Sequence, residues 1–408
     1  MRALFDAALA AAAPGACVPP HLPAPPNGRT VVVGAGKAAA AMAAAVEAHW
    51  RGPLSGLVVT RYGHGVPCRS IAVIEAGHPL PDAAGRDAAQ RVLQAVSGLT
   101  AEDLVLCLIS GGGSALLVAP APGVTLADKQ ATTRALLLCG ATIAEINCVR
   151  KHLSAIKGGR LALAARPARV LSLAISDVPG DDPATIASGP TVADATTYAD
   201  ARAVLAKYRI IAPPTVAQHL AAASDETPKP GDLRLAHAGM RIIARPADML
   251  AAAVRAAEKI RLRAVVLGDA LQGEARELGR AHAAIARRES GPVVILSGGE
   301  TTVTVGADHG EGGRNGEYAL ALALALDGDP RVHAMAGDTD GIDGTGPAAG
   351  AIVTPDTLAR ARTAGIDPAA ALARHDSHGL FGAIGDLVTT GPTLTNVNDF
   401  RAILVSMR

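Results

Sequence analysis

Along the first half of the chain, short runs of branched aliphatic residues end in glycine turns and give way to helical spacing. RTVVVGAGK (29–37), LSGLVVTRYG (54–63), AVIEAGHPLPD (72–82) and DLVLCLISGGGSALL (103–117) open the series, and VLSLAISDVPGDD (170–182) continues it. Continuous apolar runs of this length, bounded by turns, suit strands buried on both faces. Strands alternating with helices predict a parallel α/β sheet covered on both sides. TPKPGD (227–232) interrupts the pattern with two prolines and a glycine, and the alternation then resumes. ADMLAAAVRAAEKI reads as a helix, RAVVLGD as a strand, ELGRAHAAIARR as a helix and PVVILSGGET as a strand. YALALALAL (318–326) suits a closely packed helix, and VHAMAGDTDGIDG a strand running into an acidic loop. The expected architecture is α/β with two domains: a larger Rossmann-like domain over 1–232 and a smaller α/β domain over 233–408.

Composition narrows the function. The 408 residues are 49% apolar, enough for two buried cores. With a net charge of +1 and 2% aromatics there is no basic stripe and little to stack bases on, so no nucleic acid is expected. The five cysteines show no C-x-x-C spacing, which suits free thiols in a reducing cytoplasm. The start, MRALFDAALAAAAPGAC, is interrupted by Asp6 and reads as an amphipathic helix rather than a signal peptide. No uninterrupted apolar run approaches the roughly 18 residues of a membrane span. A cytoplasmic protein with no membrane partner is expected, and a homodimer is left open.

The glycine-rich loops carry the candidate chemistry. Gly34-Ala35-Gly36 with Ala39 has the G-x-G-x-x-A spacing of a dinucleotide turn. Lys37 places an ammonium where such a turn needs bare backbone. Ser110, Gly111, Gly112, Gly113 and Ser114 form a second turn, whose backbone N–H groups and hydroxyls suit an anion at a helix start. Asn147, Arg150, Lys151 and Ser154 fall on one helix face opposite Ile146, Val149 and Leu153. Asp177 lies at a strand end, where open α/β sheets bind ligands, whereas Asp182 suits a turn.

Later in the chain, Gly310, Gly312, Gly313 and Gly316 surround Arg314 and Asn315. An arginine displayed on such a loop suits bidentate contact with phosphate. Asp338, Asp340 and Asp343 alternate with glycines but lack the closing glutamate of a calcium loop. One or two of them would suit Mg²⁺ held jointly with a nucleotide. The Thr- and Asn-rich stretch near the C-terminus, Asp399 included, reads as turn-forming. There is no P-loop, zinc-binding or G-x-S-x-G pattern.

An NAD(P)H-dependent reductase stays open, since Arg61 ends the second strand and could accept a 2′-phosphate. The surplus of phosphate-binding features favours nucleotide triphosphate, Mg²⁺ and an acidic substrate. A non-catalytic nucleotide-binding regulator is the third class.

The segments GAGKAAAAMA, GHPLPDAAG, LISGGGSALL, INCVRKHLSAIKGGRLA, SDVPGDDPATIASGPT, GGRNGEYALALAL, DTDGIDGTGPAAGA and TGPTLTNVNDFRAILV, in that order, resemble the glycerate 2-kinase family. The likeness spans nearly the whole chain. It implies two α/β domains, the second of the MOFRL type, with the active site in the interdomain cleft. It further implies ATP-dependent phosphorylation of the 2-hydroxyl of D-glycerate, with ATP and Mg²⁺ required. The family's lysine and arginine map onto Lys37 and Arg314. Some members carry the label hydroxypyruvate reductase, from an association with tartrate degradation. On this reading Asp177 orients the attacking hydroxyl and Asp338 or Asp340 helps to place Mg²⁺. Gly36, Ser110 to Ser114, Asn147, Arg150, Lys151, Gly313 and Asn315 bind substrate or nucleotide.

Overall fold

A computed structural model describes residues 1–306, 309–344 and 346–407. The chain divides into two compact bodies, Pro14–Ile243 and Ala244–Arg408, the latter joined by Met1–Ala13.

The first body is built on strands β1 (Thr30–Ala35), β2 (Ser55–Arg61), β3 (Ala72–Ala76), β4 (Leu104–Ile109), β5 (Arg169–Ile175) and β6 (Ala238–Ala244). Their order is β3-β2-β1-β4-β5-β6, and β1 to β5 pair in parallel. Every residue of β1 and β4 is buried, as their unbroken apolar runs predict. Val31, Val33, Val105, Cys107 and Ile109 pack one sheet face against Ala88, Ala89 and Val92 of the helix Ala83–Ala95. Gly34 lets β1 and β4 approach, because a Cβ there would lie 2.0 Å from the Leu108 carbonyl oxygen. The chain leaves β1 in one direction and β4 in the other, so a crevice opens between their C-terminal ends.

The second body contains β7 (Arg263–Glu274), β8 (Val293–Thr302), β9 (Val332–Asp338), β10 (Gly350–Val353), β11 (Leu387–Val388) and β12 (Asp399–Val405), in the order β11-β10-β9-β12-β8-β7. Only β7 and β8 pair in parallel, and β12 runs antiparallel to both β9 and β8. The last strand of the chain therefore occupies the middle of this sheet. The helix Arg314–Leu326 covers it with Tyr318, Leu320 and Leu322, all fully buried.

Two boundaries differ from the expectation of 1–232 and 233–408. Residues 233–243 stay with the first body, because β6 lies beside β5 and Val170 N–H donates to the His237 carbonyl at 3.0 Å. The amphipathic helix Arg2–Ala12 belongs to the second body. It buries Leu4, Phe5, Ala8 and Ala12, stacks Phe5 5.6 Å from Phe400, and takes a hydrogen bond from Thr395 Oγ1 on the Ala12 carbonyl at 2.7 Å. Among the described residues no single helix is long and apolar enough to cross a membrane. All five cysteines are free thiols.

Candidate active site

The turns after β1 and β4 meet where the strand order reverses. Lys37 N–H donates to the Gly111 carbonyl at 2.8 Å, and Ala38 N–H donates to Ser110 Oγ at 2.9 Å. Gly36 N–H donates to the Val59 carbonyl at 3.1 Å. Three successive N–H groups of the first turn are thus spent on chain acceptors, so the turn has no backbone cradle left for a pyrophosphate. Gly36, expected as a ligand-binding residue, serves close approach instead. It sits at φ 144°, where a Cβ would lie 2.1 Å from Ser110 Oγ. What this turn offers a ligand is the half-buried Lys37 side chain, whose stem runs beside Gly112.

Gly112 adopts left-handed φ 81°, and a Cβ on Gly113 would meet Ala187 Cβ and the Ala35 carbonyl oxygen, each at 2.8 Å. The helix that follows, Gly113–Leu116, is a single turn, so the helix-dipole contribution expected there is slight. The hydroxyls are organised instead. Ser114 Oγ lies 2.8 Å from Ser188 Oγ, which donates to Asn147 Oδ1 at 3.0 Å. Ala187 and Ser188 hold left-handed φ of 51° and 60° without being glycine, a strained conformation concentrated beside this turn.

The helix Ile143–His152 distributes its polar face in two directions. Asn147 joins the serine pair. Lys151, expected to bind an anion, turns instead to the buried Asp194 at 3.2 Å and forms a structural ion pair. Arg150 is half-buried, and Ser154 lies beyond the helix end, bonded to the Ala119 carbonyl at 3.2 Å. Asp177 is half-buried in the loop after β5. Asp182 makes the expected turn, accepting from Ala184 N–H at 3.1 Å and Thr185 Oγ1 at 2.6 Å.

In the second body Arg314 opens the long helix after Gly313. It is not displayed on a flexible tip. Its Nε donates to Asp399 Oδ1 at 2.8 Å, one terminal nitrogen to Glu300 Oε1 at 2.9 Å and the other to Asp338 Oδ2 at 2.9 Å. Strand register supplies these acids. Asp399 begins β12 opposite both Asp338, which ends β9, and Gly299 of β8, with Glu300 next in line. Burial alone would weaken the guanidinium's hold on its proton, but Asp399, Asp338 and Glu300 raise its pKa far above the ordinary value. Arg314 is a permanent cation.

Asn315 is fully buried and donates from Nδ2 to Asp399 Oδ1 at 2.8 Å. Asp343 accepts Asn315 N–H at 3.0 Å and Gly316 N–H at 2.8 Å, capping the helix start from a distant loop. Gly313 leaves room for it, since a Cβ there would lie 2.4 Å from Asp343 Oδ1. Burial pushes the Asp343 carboxyl up to about 6 against those two hydrogen bonds. Asp338 also accepts Asp340 N–H at 3.0 Å, and Asp340 accepts Ile342 N–H at 2.8 Å. Among the described residues no three His, Cys, Asp or Glu side chains converge as a metal site.

Glu300 and Ser188 escaped the sequence reading, and Asp399 was read only as turn-forming. Ser188 and Asp399 acquire their partners from distant parts of the chain, and Glu300 meets Arg314 across 14 residues. The S-G-P of ASGPT, a small residue before a turn, was the one local signal for Ser188.

The first 221 residues match the model of a domain of unknown function (DUF4147), and residues 293–399 match the MOFRL family. A protein of Agrobacterium vitis, provisionally named hydroxypyruvate reductase, is 58% identical over 99% of this chain and 94% of its own length. The D-glycerate 2-kinase of Thermotoga maritima is 42% identical over 91% of this chain and 89% of its own length. A crystal structure of glycerate kinase from that organism superposes with a TM-score of 0.89 and 39% identity, covering 99% of this chain and 98% of the other. With both domain models matched in order and the likeness running from end to end, the chain belongs to the glycerate 2-kinase family.

Proposed function

We propose that the protein is an ATP-dependent kinase that phosphorylates the 2-hydroxyl of D-glycerate, releasing 2-phosphoglycerate and ADP in the cytoplasm. The observation that carries the reading is the junction of the Lys37 turn with the Ser110–Ser114 turn between β1 and β4. It brings the Lys37 side chain beside a glycine-rich turn at the position where open α/β sheets bind phosphate-bearing ligands.

Phosphoryl transfer passes through a loose transition state, so catalysis rests on positioning and charge neutralisation. Lys37 neutralises the transferring group, and the Ser110–Ser114 turn orients oxygens beside it. Asp177 takes the proton of the attacking hydroxyl. Arg314 is the second catalytic cation in this proposal. Its terminal nitrogen on Glu300 is the one to reach a ligand, because Glu300, at 47% exposure, is the most solvated of the three acids. Mg²⁺ would be held jointly by protein carboxylates and the nucleotide phosphates, whose charge it would neutralise. Asp338, which accepts from Arg314 and from Asp340 N–H, and Asp340, which accepts from Ile342 N–H, would be its protein donors.

A hydroxypyruvate reductase is the second reading, favoured by the Agrobacterium vitis name. The spent N–H groups of Gly36, Lys37 and Ala38 count against it, since a nicotinamide dinucleotide needs them for its pyrophosphate. Purified protein offered ATP with D-glycerate, and separately NADPH with hydroxypyruvate, distinguishes the two. ADP release that requires both D-glycerate and Mg²⁺ supports the kinase. NADPH oxidation without ADP release overturns it.

A further inference from the structure

Among the described residues the buried lysines and arginines pair with acids, except Lys157 and Lys129. Lys151 pairs with Asp194 at 3.2 Å, Arg160 with Asp225 at 2.5 Å and Arg401 with Asp399 at 2.5 Å. Lys157 and Lys129 are 0% and 4% exposed and Arg150 is half-buried, yet among the described residues none of the three makes an ion pair. Lys157 Nζ donates to the Ser114 carbonyl at 2.8 Å. Lys129 Nζ donates to the carbonyls of Leu153 at 2.8 Å and Arg150 at 3.2 Å. A carbonyl satisfies a hydrogen bond but leaves the charge unbalanced, and an unbalanced buried charge is costly.

The end of the helix Ile143–His152 explains Lys129 in part, because helix C-termini carry partial negative charge. No such partner explains Lys157, whose acceptor belongs to the single turn Gly113–Leu116. The three cations also act on one another. Burial, then repulsion from Lys129 and Arg150, lowers the Lys157 pKa well below that of a free lysine. Burial and Arg150 bring Lys129 down to about 7. Three basic side chains thus gather where the described residues supply no acidic partner, and burial opposes their carrying full charge. Lys157 ties this group to the Ser114 carbonyl of the turn in which Gly112 lies beside the stem of Lys37.

We infer that Lys157, backed by Lys129 and Arg150, is a positioning residue for an oxyanion held on the Ser110–Ser114 turn, the ligand's own negative charge being the partner the chain does not provide. Lys157 is too enclosed to touch the ligand; it acts through Ser114, fixing the turn and setting a positive potential behind it. The oxyanion is a nucleotide phosphate or the carboxylate of the acceptor. The inference rests on the kinase reading for the identity of its ligand and not for the existence of the site.

The test uses the intact protein and needs no turnover. Thermal unfolding of wild type, Lys157→Met and Arg150→Gln is followed during titration with inorganic phosphate, with ADP and with D-glycerate, against chloride at equal ionic strength. The wild type is expected to be stabilised by at least one of them. Lys157→Met should weaken that binding by about tenfold or more, and Arg150→Gln should weaken it in the same titration. Unliganded Lys157→Met should unfold at or above the wild-type temperature, since a buried amine without an acidic partner has been removed. A merely structural tie would lower that temperature and leave binding alone. Loss confined to phosphate and ADP assigns a phosphate, and loss confined to D-glycerate assigns the carboxylate. Lys157→Met binding within about twofold of wild type, a variant that fails to fold, or a wild type that binds none of the three overturns the inference. A protein that binds oxyanions through Lys157 but consumes no ATP would sink the kinase alone.

Discussion

Asp338 and Asp399 face each other across the β9–β12 pairing, and Arg314 donates to both, at 2.9 and 2.8 Å. With Glu300 on its third nitrogen, the arginine bridges three acids and offsets part of their mutual repulsion at one end of the sheet. Asp399 is fully buried and shares two cations, with Arg401 on its other oxygen at 2.5 Å.

Arg314→Ala should therefore lose stability as well as turnover. Breaking a buried pair by removing one partner costs about 3–5 kcal/mol. If the residue also meets the transferring phosphoryl group, turnover falls by about 10³ or more at temperatures where the variant stays folded. Denaturant unfolding checks the first part, and a loss below about 1 kcal/mol would show the three ion pairs to be dispensable. Near-wild-type turnover would take Arg314 out of the chemistry.

Lys37→Met keeps the side-chain length and removes the charge. The backbone bond from residue 37 to Gly111 is unaffected, so the fold should persist. Turnover with ATP and D-glycerate should fall by about 10² or more, the scale for losing one charge-stabilising donor. A variant that turns over like wild type leaves Lys37 as a turn residue.

Gly36→Ala tests how the two turns are joined. The new methyl group would fall 2.1 Å from Ser110 Oγ and 2.6 Å from the Ser110 carbonyl oxygen, at a φ of 144°. Rotating Ser110 Oγ away would break its bond to Ala38 N–H, and the carbonyl clash is relieved only by moving the backbone of the Ser110–Gly113 turn. A cost on the order of 3 kcal/mol is expected, with loss of activity. Full activity at unchanged stability would mean the turns separate freely.

Asp343 links the Arg314 helix to pH. Its carboxyl is raised from 3.8 to about 6, so the folded protein holds this proton more tightly than the unfolded chain. The stabilisation from this group is complete below about pH 4 and is lost as pH rises through about 6, a change of about 3 kcal/mol. Asp343→Asn should gain on wild type by that amount between pH 4 and 7 in urea unfolding. A difference that does not change with pH would refute the assignment.

His282 acts with the opposite sign. Burial, then the nearby charge of Arg401, lowers its pKa from 6.5 to about 4, and Nδ1 lies 2.8 Å from the Tyr318 hydroxyl. The unfolded chain binds this proton more readily, so the stability it contributes is present above about pH 6.5 and lost as pH falls through 4. His282→Gln should gain about 3 kcal/mol on wild type over that acid range. Parallel acid profiles for the two proteins would place a charged histidine in the core.

The sequence by itself determined the features that depend on neighbours along the chain. Unbroken apolar runs at β1 and β4, followed by glycines, dictate buried strands ending in tight turns, and that pattern alone singles out Lys37 and Ser110 to Ser114 as candidates. Tertiary structure decided which atoms remain available. The G-x-G-x-x-A spacing is real, yet the N–H groups of Gly36, Lys37 and Ala38 are taken by Val59, Gly111 and Ser110. Lys151 was correctly placed on a polar helix face but pairs with Asp194, which lies beyond the next strand. Arg314 reads locally as an exposed phosphate clamp, and only the register of β8, β9 and β12 brings Glu300, Asp338 and Asp399 onto it. Periodicity and glycine content are properties of adjacent residues, whereas hydrogen bonds and charge balance depend on partners chosen by long-range strand pairing.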